Sequence, residues 1–170
     1  MSKKIAVVLT DMFEDVEYTK PQEVFEKEGH ELIVIEKEKG KMITGKNEEA
    51  SVTADAGIED VKPDEFDALF IPGGFSPDQL RADDRFVTFA KSFMDADKPV
   101  FAICHGPQLL LTAKAIEGRN ITGYKSIMVD LEYAKAKVHD KEVVVCHNLV
   151  TSRNPDDIPA FNKEALKQLA

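Results

Sequence analysis

Short apolar runs divide this chain at regular intervals, and segments with helical spacing lie between them. The runs are unbroken rather than alternating, which is typical of strands that are buried on both faces of a parallel sheet. The alternation of strand and helix predicts an α/β fold with a doubly wound sheet. The predicted strands are 5–9, 31–36, 68–71, 100–103 and 143–146.

The helices are predicted from proline and glycine signals at their ends. Pro21 suits the first turn of a helix that stops at Gly29. We see no Ser/Gly/Pro-rich linker and no internal repeat, so residues 1–170 are predicted to form one domain. The same signals predict further helices over 86–94, over 109–116 with its stop at Gly118, and from Pro155 onward, and hairpins over 41–53 and 142–151.

The composition narrows the possible functions. With 170 residues and 43% apolar content, the chain is long enough to bury about 70% of its unfolded surface. It carries 22 basic and 31 acidic residues, a net charge of −9, so we expect neither nucleic acid nor a membrane as a partner. The apolar run 5–9 is too short for a signal peptide or a membrane span. We therefore expect a reducing cytoplasm and two free thiols.

The two cysteines both lie in Cys-His dipeptides that end an apolar run. Cys146 has strand-like residues on both sides, and Asn148 suits a hairpin turn, so we interpret Cys146 as a small packing residue. Cys104 differs, because Gly106 and Pro107 open a helix directly after its strand. The sequence therefore favours Cys104 as the reactive thiol.

Small residues stand two positions before and after Cys104, at Ala102 and Gly106. This spacing is typical of a strand–turn–helix elbow, where bulky neighbours would collide around a strained nucleophile. The N–H groups and dipole at the start of the following helix favour the thiolate. Open α/β sheets also bind ligands at the carboxyl ends of their strands. We predict that Cys104 is a nucleophile at such an elbow.

Two other strand–helix connections are expected at the same edge of the sheet. The first carries Glu14, Asp15 and Glu17, which either cap the first helix or take part in catalysis. A carboxyl beside a thiolate has its pKa raised until it can donate a hydrogen bond. The second connection carries Gly73 and Gly74, which allow a backbone amide to face a substrate oxygen. The amide after the nucleophile is the expected second donor.

The blocks A-I-C-H-G-P-Q, F-E-D-V-E and I-P-G-G-F-S-P-D, with T-S-R-N-P near the C-terminus, strongly resemble the ThiJ/PfpI family. That family includes PfpI-type intracellular cysteine peptidases and the parkinsonism-associated protein with its glyoxalase and proposed deglycase activities. The likeness covers nearly the whole chain. It implies a flavodoxin-like domain with a nucleophile elbow, as in class I glutamine amidotransferases, and a role in stress protection.

The resemblance also implies roles for individual residues. Cys104 corresponds to the nucleophile, Glu17 to the carboxyl that hydrogen-bonds its sulfur, and Glu14 to a second carboxylate nearby. Gly73 and Gly74 correspond to the backbone oxyanion hole.

In the peptidase branch, the resemblance makes His105 the partner of the nucleophile. A glutamate from a neighbouring subunit completes that triad, which implies a homo-oligomer, and the corresponding position here is Asp78, one methylene shorter. Neighbouring side chains normally point in different directions, so His105 reaches Cys104 only if the elbow is sharp.

Three functions stay open at this point. The leading one is attack of Cys104 on the carbonyl of an α-oxoaldehyde such as methylglyoxal, with no cofactor because G-x-G-x-x-G is absent. No CxxC or HxxxH pair indicates a metal site. The alternatives are a cysteine peptidase acting on peptides, and a redox sensor or holdase chaperone in which Cys104 is oxidised ahead of Cys146.

Overall fold

A computed structural model describes residues 1–170. Seven of its strands form the central sheet, in the order β10-β11-β7-β6-β1-β2-β5, and every neighbouring pair is parallel except β10 with β11. All five predicted strands lie in this sheet, with ends that differ by one residue at most. The strands are β1 (Lys4–Val8), β2 (Glu31–Glu36), β3 (Met42–Thr44), β4 (Ser51–Thr53), β5 (Ala56–Gly57), β6 (Ala68–Ile71), β7 (Val100–Ile103), β8 (Asn120–Ile121), β9 (Lys137–Val138), β10 (Val144–Cys146) and β11 (Leu149–Ser152).

Helices cover both faces of the sheet, so the prediction of a doubly wound α/β domain is confirmed. Successive strand residues point to opposite faces: Ile5 and Val7 pack in the cluster formed with α1 and α6, whereas Ala6 and Val8 pack in the cluster formed with α3, α4 and α5. The helices are α1 (Asp15–Lys27), α2 (Ser76–Leu80), α3 (Asp84–Asp95), α4 (Pro107–Thr112), α5 (Met128–Tyr133) and α6 (Ile158–Leu169).

The predicted start of the first helix at Pro21 is wrong. Helix α1 begins at Asp15 and runs through Pro21, which is buried at its seventh position. Proline lacks the N–H that would bond to the carbonyl of Glu17, but the rest of the helix is held by packing of Tyr18 and Phe25 in the core. Glu17 therefore lies in the first turn of a helix, where its side chain is fixed.

The predicted end of the helix after the elbow at Gly118 is also wrong. Helix α4 ends at Thr112, because Lys114 adopts a left-handed conformation with φ 57°. The Ala115 N–H then bonds back to the Leu110 carbonyl at 3.1 Å, which is a common way to terminate a helix. With only six residues, α4 has a smaller dipole than the sequence suggested.

Both predicted hairpins are present, with β3 antiparallel to β4 and β10 antiparallel to β11. The last helix, α6, follows a single 3₁₀ turn at Pro155–Asp157. The strand order reverses between β1 and β6, so the carboxyl ends of β1, β6 and β7 meet at the point where such sheets bind ligands. None of the helices has the length and apolar composition needed to cross a membrane.

Candidate active site

Cys104 occupies the predicted elbow directly after β7. Its backbone has φ 62°, an unusual value for a side-chain-bearing residue, and its N–H donates to the Ser152 carbonyl at 2.9 Å. A Cβ at Gly106 would lie 2.5 Å from the Ile71 carbonyl oxygen, so the chain turns here only because this position is glycine. The strained strand–turn–helix elbow inferred from the small–Cys–small spacing is therefore present at Cys104.

Glu17 lies directly against this thiol. Its side chain is fully buried, and Oε1 accepts a hydrogen bond from the Gly73 N–H at 3.1 Å. The other oxygen, Oε2, has no hydrogen-bond partner in the structure, and the Cys104 thiol lies near enough to affect the pKa of this carboxyl. The structure thus brings Cys104 and Glu17 together, and their catalytic pairing stays a prediction.

Burial and the nearby charge of Glu14 raise the pKa of Glu17, its hydrogen bonds and the charge of Lys46 lower it, and the net pKa is about 8. The carboxyl is therefore protonated at pH 7. A protonated carboxyl can donate its O–H to the sulfur, which an ionised one cannot.

The thiol itself departs from the sequence-based expectation of easy ionisation. Burial raises the pKa of Cys104, and the charge of an ionised Glu17 raises it further. The backbone N–H groups of Gly74 and His105 act in the opposite direction but do not outweigh burial. The thiol and the carboxyl titrate as a coupled pair, so a base beside the sulfur is needed to remove its proton.

The residue placed to act as such a base is His105. The elbow turns its ring back toward the nucleophile, so that Nδ1 lies 3.4 Å from the Cys104 sulfur. Nε2 lies 3.4 Å from the Ser126 hydroxyl, and the ring stacks on Tyr124 at 4.8 Å between centroids. Burial and the charge of Lys46 lower the pKa of His105, so the ring is neutral at pH 7 and can accept a proton.

Lys46 is a member of the site that sequence reasoning missed. Its Nζ pairs with Glu14 Oε2 at 2.6 Å and lies 5.9 Å from the centre of the Phe75 ring. The hydrogen bond to Glu14 raises the pKa of Lys46, and the charges of Cys104 and Glu17 act on it in the same direction. Lys46 lies in the β3–β4 hairpin, and nothing in its local sequence indicates that this loop reaches Cys104.

The two glycines expected to form an oxyanion hole have different roles. The Gly73 N–H is occupied by Glu17, so it is not free for a substrate oxygen. Neither the Gly74 N–H nor the His105 N–H bonds to a backbone carbonyl, and both act on the sulfur. The arrangement therefore leaves two donors, the amides of Gly74 and His105, beside the nucleophile.

Asp78 does not complete a triad within the chain. Its side chain is 67% exposed and lies 3.8 Å from Arg81, and it influences His105 only through a charge effect that raises the histidine pKa. No group of three or more His, Cys, Asp and Glu side chains is arranged to hold a metal ion.

Comparisons with known proteins identify relatives along nearly the whole chain. The family model described as the DJ-1/PfpI family matches residues 3–168. Three bacterial relatives each cover 99% of this chain and are matched over 99% of their own length: "General stress protein 18" of Bacillus subtilis at 68% identity, "Protein/nucleic acid deglycase 2" of Escherichia coli at 59%, and "Putative cysteine protease YraA" of Bacillus subtilis at 57%.

Solved structures show the same fold. A two-domain protein from Anabaena variabilis, with DJ-1/ThiJ/PfpI-like and ferritin-like domains, is 35% identical with a TM-score of 0.96 over 98% of this chain and 48% of its own. The chain thus spans about half of that protein. A ThiJ/PfpI domain protein from Brachyspira murdochii is 28% identical with a TM-score of 0.91, over 98% of this chain and 95% of its own.

Proposed function

Since the chain belongs to the DJ-1/PfpI family, we propose that it is an enzyme that uses Cys104 as a nucleophile against the aldehyde carbon of small α-oxoaldehydes such as methylglyoxal. The observation that carries the proposal is the position of the Cys104 sulfur, between a protonated carboxyl at Glu17 and a neutral imidazole at His105. These are the acid and base that addition to a carbonyl requires.

The chemistry balances with the groups of the site and water alone. The sulfur bonds to the aldehyde carbon while His105 takes the thiol proton, and the oxygen that becomes negative lies by the amides of Gly74 and His105. Protonation of that oxygen gives a hemithioacetal. Moving the proton of the former aldehyde carbon to the neighbouring carbon then gives a thioester of a 2-hydroxy acid. Water hydrolyses the thioester, which releases the acid and restores the thiol.

No external oxidant is needed in this scheme, because the aldehyde carbon is oxidised while the neighbouring ketone carbon is reduced. A small substrate also suits the nucleophile, since only 7% of Cys104 is exposed. The names of two relatives point the same way: one is a general stress protein and one a deglycase, and reactive carbonyls are a stress to the cell.

The direct test is methylglyoxal turnover by the purified protein and its Cys104→Ser variant. We expect the substitution to reduce kcat/KM by at least about a thousandfold, because an alcohol is a far weaker nucleophile in this setting. Cys146→Ser is the matched control, since it removes the other thiol and is expected to retain activity. Equal turnover by Cys104→Ser and the unmodified protein would overturn the proposal.

A cysteine peptidase is the second candidate. It is favoured by the 3.4 Å approach of His105 Nδ1 to the sulfur and by the name of the YraA relative. It needs a carboxylate for His105, and Asp78 supplies one only if a neighbouring subunit brings it there. Asp78→Asn separates the two functions: peptide hydrolysis is expected to fall if the triad operates, whereas methylglyoxal turnover is expected to stay unchanged.

A further inference from the structure

Asp15 is a buried carboxylate that the chemistry above does not use. Only 1% of it is exposed, yet it forms no ion pair. Its two oxygens accept three backbone hydrogen bonds, from the N–H groups of Asn47 at 2.9 Å, Glu49 at 3.0 Å and Ala50 at 2.8 Å. The sequence left capping of α1 and catalysis open for Asp15, and the structure shows no side-chain cap at the start of that helix.

The loop that Asp15 binds is the turn of the β3–β4 hairpin, residues 45–50. It fits closely against the carboxylate, because a Cβ at Gly45 would lie 2.1 Å from Asp15 Oδ2. Burial opposes ionisation of Asp15, but the backbone hydrogen bonds outweigh it and lower the pKa of the carboxyl. Asp15 is therefore a charged anchor that holds one end of the hairpin to the start of α1.

The anchored loop carries one cation into the site. The Lys46 N–H donates to the Phe13 carbonyl at 2.8 Å, and its Nζ pairs with Glu14 at 2.6 Å. From there the charge of Lys46 acts on Glu17, Cys104 and His105. A lysine side chain is long and flexible, so its position depends on where its backbone is held.

We propose that Asp15 is a positioning residue: by binding the 45–50 loop it holds the Lys46 ammonium beside Cys104 and Glu17, where this cation favours the thiolate of Cys104. The proposal rests on the role of Cys104 as the nucleophile. The charged and titratable groups around Cys104 and Glu17 are Glu14 from the β1–α1 connection, Lys46 from the hairpin and His105 from the elbow, and Asp78 of α2 acts on His105.

Substitution of Asp15 has two opposite effects on the pH at which Cys104 becomes reactive. Removing the negative charge of Asp15 would by itself favour the thiolate and lower the pH at which Cys104 becomes reactive. Releasing Lys46 from the site does the opposite, because a cation that favours the charged form is lost. Asp15→Asn is therefore expected to raise the pH of Cys104 reactivity if Asp15 acts through Lys46.

The experiment measures the rate of Cys104 alkylation by iodoacetamide between pH 6 and 10, in a Cys146→Ser background. We expect Lys46→Met to shift the profile upward by about one pH unit, which corresponds to an opposite charge removed from nearby. Asp15→Asn is expected to shift it in the same direction, and Lys46→Arg, which keeps the cation, to restore most of the original profile. Lys91→Met is the matched control, since Lys91 pairs with Asp95 at 2.8 Å on the exposed face of α3.

The double variant decides whether Asp15 acts through Lys46. In the Lys46→Met background, Asp15→Asn is expected to cause no further upward shift. An equal upward shift there, or a downward shift in the single variant, would overturn the proposal.

If Asp15→Asn does not fold, as judged by circular dichroism, Gly45→Ala disturbs the same contact without a change of charge and is expected to give the same upward shift. An unshifted profile for a folded Gly45→Ala variant would also overturn it.

Alkylation does not depend on any substrate, so the two proposals can fail separately. If the purified protein does not turn over methylglyoxal, the proposed function is wrong, and the alkylation profiles still test the positioning role of Asp15. Normal turnover with an unshifted Lys46→Met profile would remove the positioning role alone.

Discussion

The Gly73 amide donates to Glu17 Oε1 at 3.1 Å, and a Cβ on the same glycine would lie 2.4 Å from that oxygen and 2.8 Å from the Cys104 Cβ. One backbone position thus fixes the carboxyl and leaves room for the thiol at the same time. Neither group can keep its place if the glycine gains a side chain.

Gly73→Ala is therefore expected to lower methylglyoxal turnover by roughly 100-fold, because displacement of a catalytic group by about 1 Å has an effect of this size. The measurement is kcat/KM of the folded variant. Gly118→Ala is the control for a destabilising glycine-to-alanine change away from the site, since Gly118 has φ 76° and nothing lies within 4 Å of a Cβ there. Unchanged turnover in Gly73→Ala would show that the close packing of Glu17 and Cys104 is not needed for activity.

Glu17 is also expected to make stability depend on pH. Its folded pKa of about 8 lies above its ordinary value of 4.5, so between these pH values the folded state holds a proton that the unfolded state has lost. Stability of the unmodified protein therefore falls as pH rises through this window. Glutamine does not titrate, so Glu17→Gln does not lose this stability as the pH rises. In urea unfolding, its free energy of unfolding relative to the unmodified protein is therefore expected to increase by roughly 2–4 kcal/mol from pH 5 to pH 8.

Exposed Glu23, on the same helix, provides the comparison for that measurement. Glu23→Gln is expected to show no such pH-dependent gain. A Glu17→Gln variant whose relative stability is the same at pH 5 and pH 8 would mean that the carboxyl is ionised in the folded protein.

The parts of the site that follow from local sequence could be predicted. The elbow at Cys104 depends on small residues two positions away and on Pro107, all within one short segment. The strands of the sheet could be predicted for the same reason, since an unbroken apolar run is a local signal. Pro21 misled the prediction of α1 because proline at the first turn and proline tolerated inside a packed helix look the same in sequence.

The parts that depend on tertiary packing could not be predicted. Lys46 reaches the site only because the β3–β4 hairpin docks on Asp15, and neither residue carries a local sign of this contact. The raised pKa of Cys104 has a similar origin, since the helix dipole is a local effect whereas burial against Glu17 depends on the whole fold. Local reasoning therefore located the elbow that holds Cys104 but gave the wrong direction for the pKa of its thiol.

The pH dependence of turnover is expected to reflect the two groups beside the sulfur. Above about pH 8, Glu17 ionises, stops donating to the sulfur and repels the thiolate, so kcat/KM is expected to fall. On the acid side, burial lowers the pKa of His105 below its ordinary 6.5, so activity is expected to persist until the pH is below that value. Glu17→Gln is expected to remove the alkaline fall. An identical alkaline fall in that variant would assign it to another group.

A redox sensor at Cys104 requires this thiol to react before Cys146. We expect the opposite order. Burial opposes ionisation of Cys146, but Arg119 Nε and the Asn120 N–H, each 3.4 Å from the sulfur, outweigh it and lower the pKa. Burial raises the pKa of Cys104, which is also less exposed. Limiting iodoacetamide or peroxide at pH 7.5 is therefore expected to modify Cys146 first, as measured by peptide mass spectrometry.

Arg119→Met tests the cause of that order. Loss of the guanidinium is expected to slow modification of Cys146 by roughly tenfold, the effect of one pKa unit, and to leave the rate at Cys104 unchanged. In the proposed function, His105 removes the proton from Cys104. A carbonyl bound beside the histidine can therefore react with Cys104 even though Cys146 reacts faster with reagents from solution. Modification of Cys104 ahead of Cys146 in the unmodified protein would contradict this interpretation and favour oxidation of Cys104 as its function.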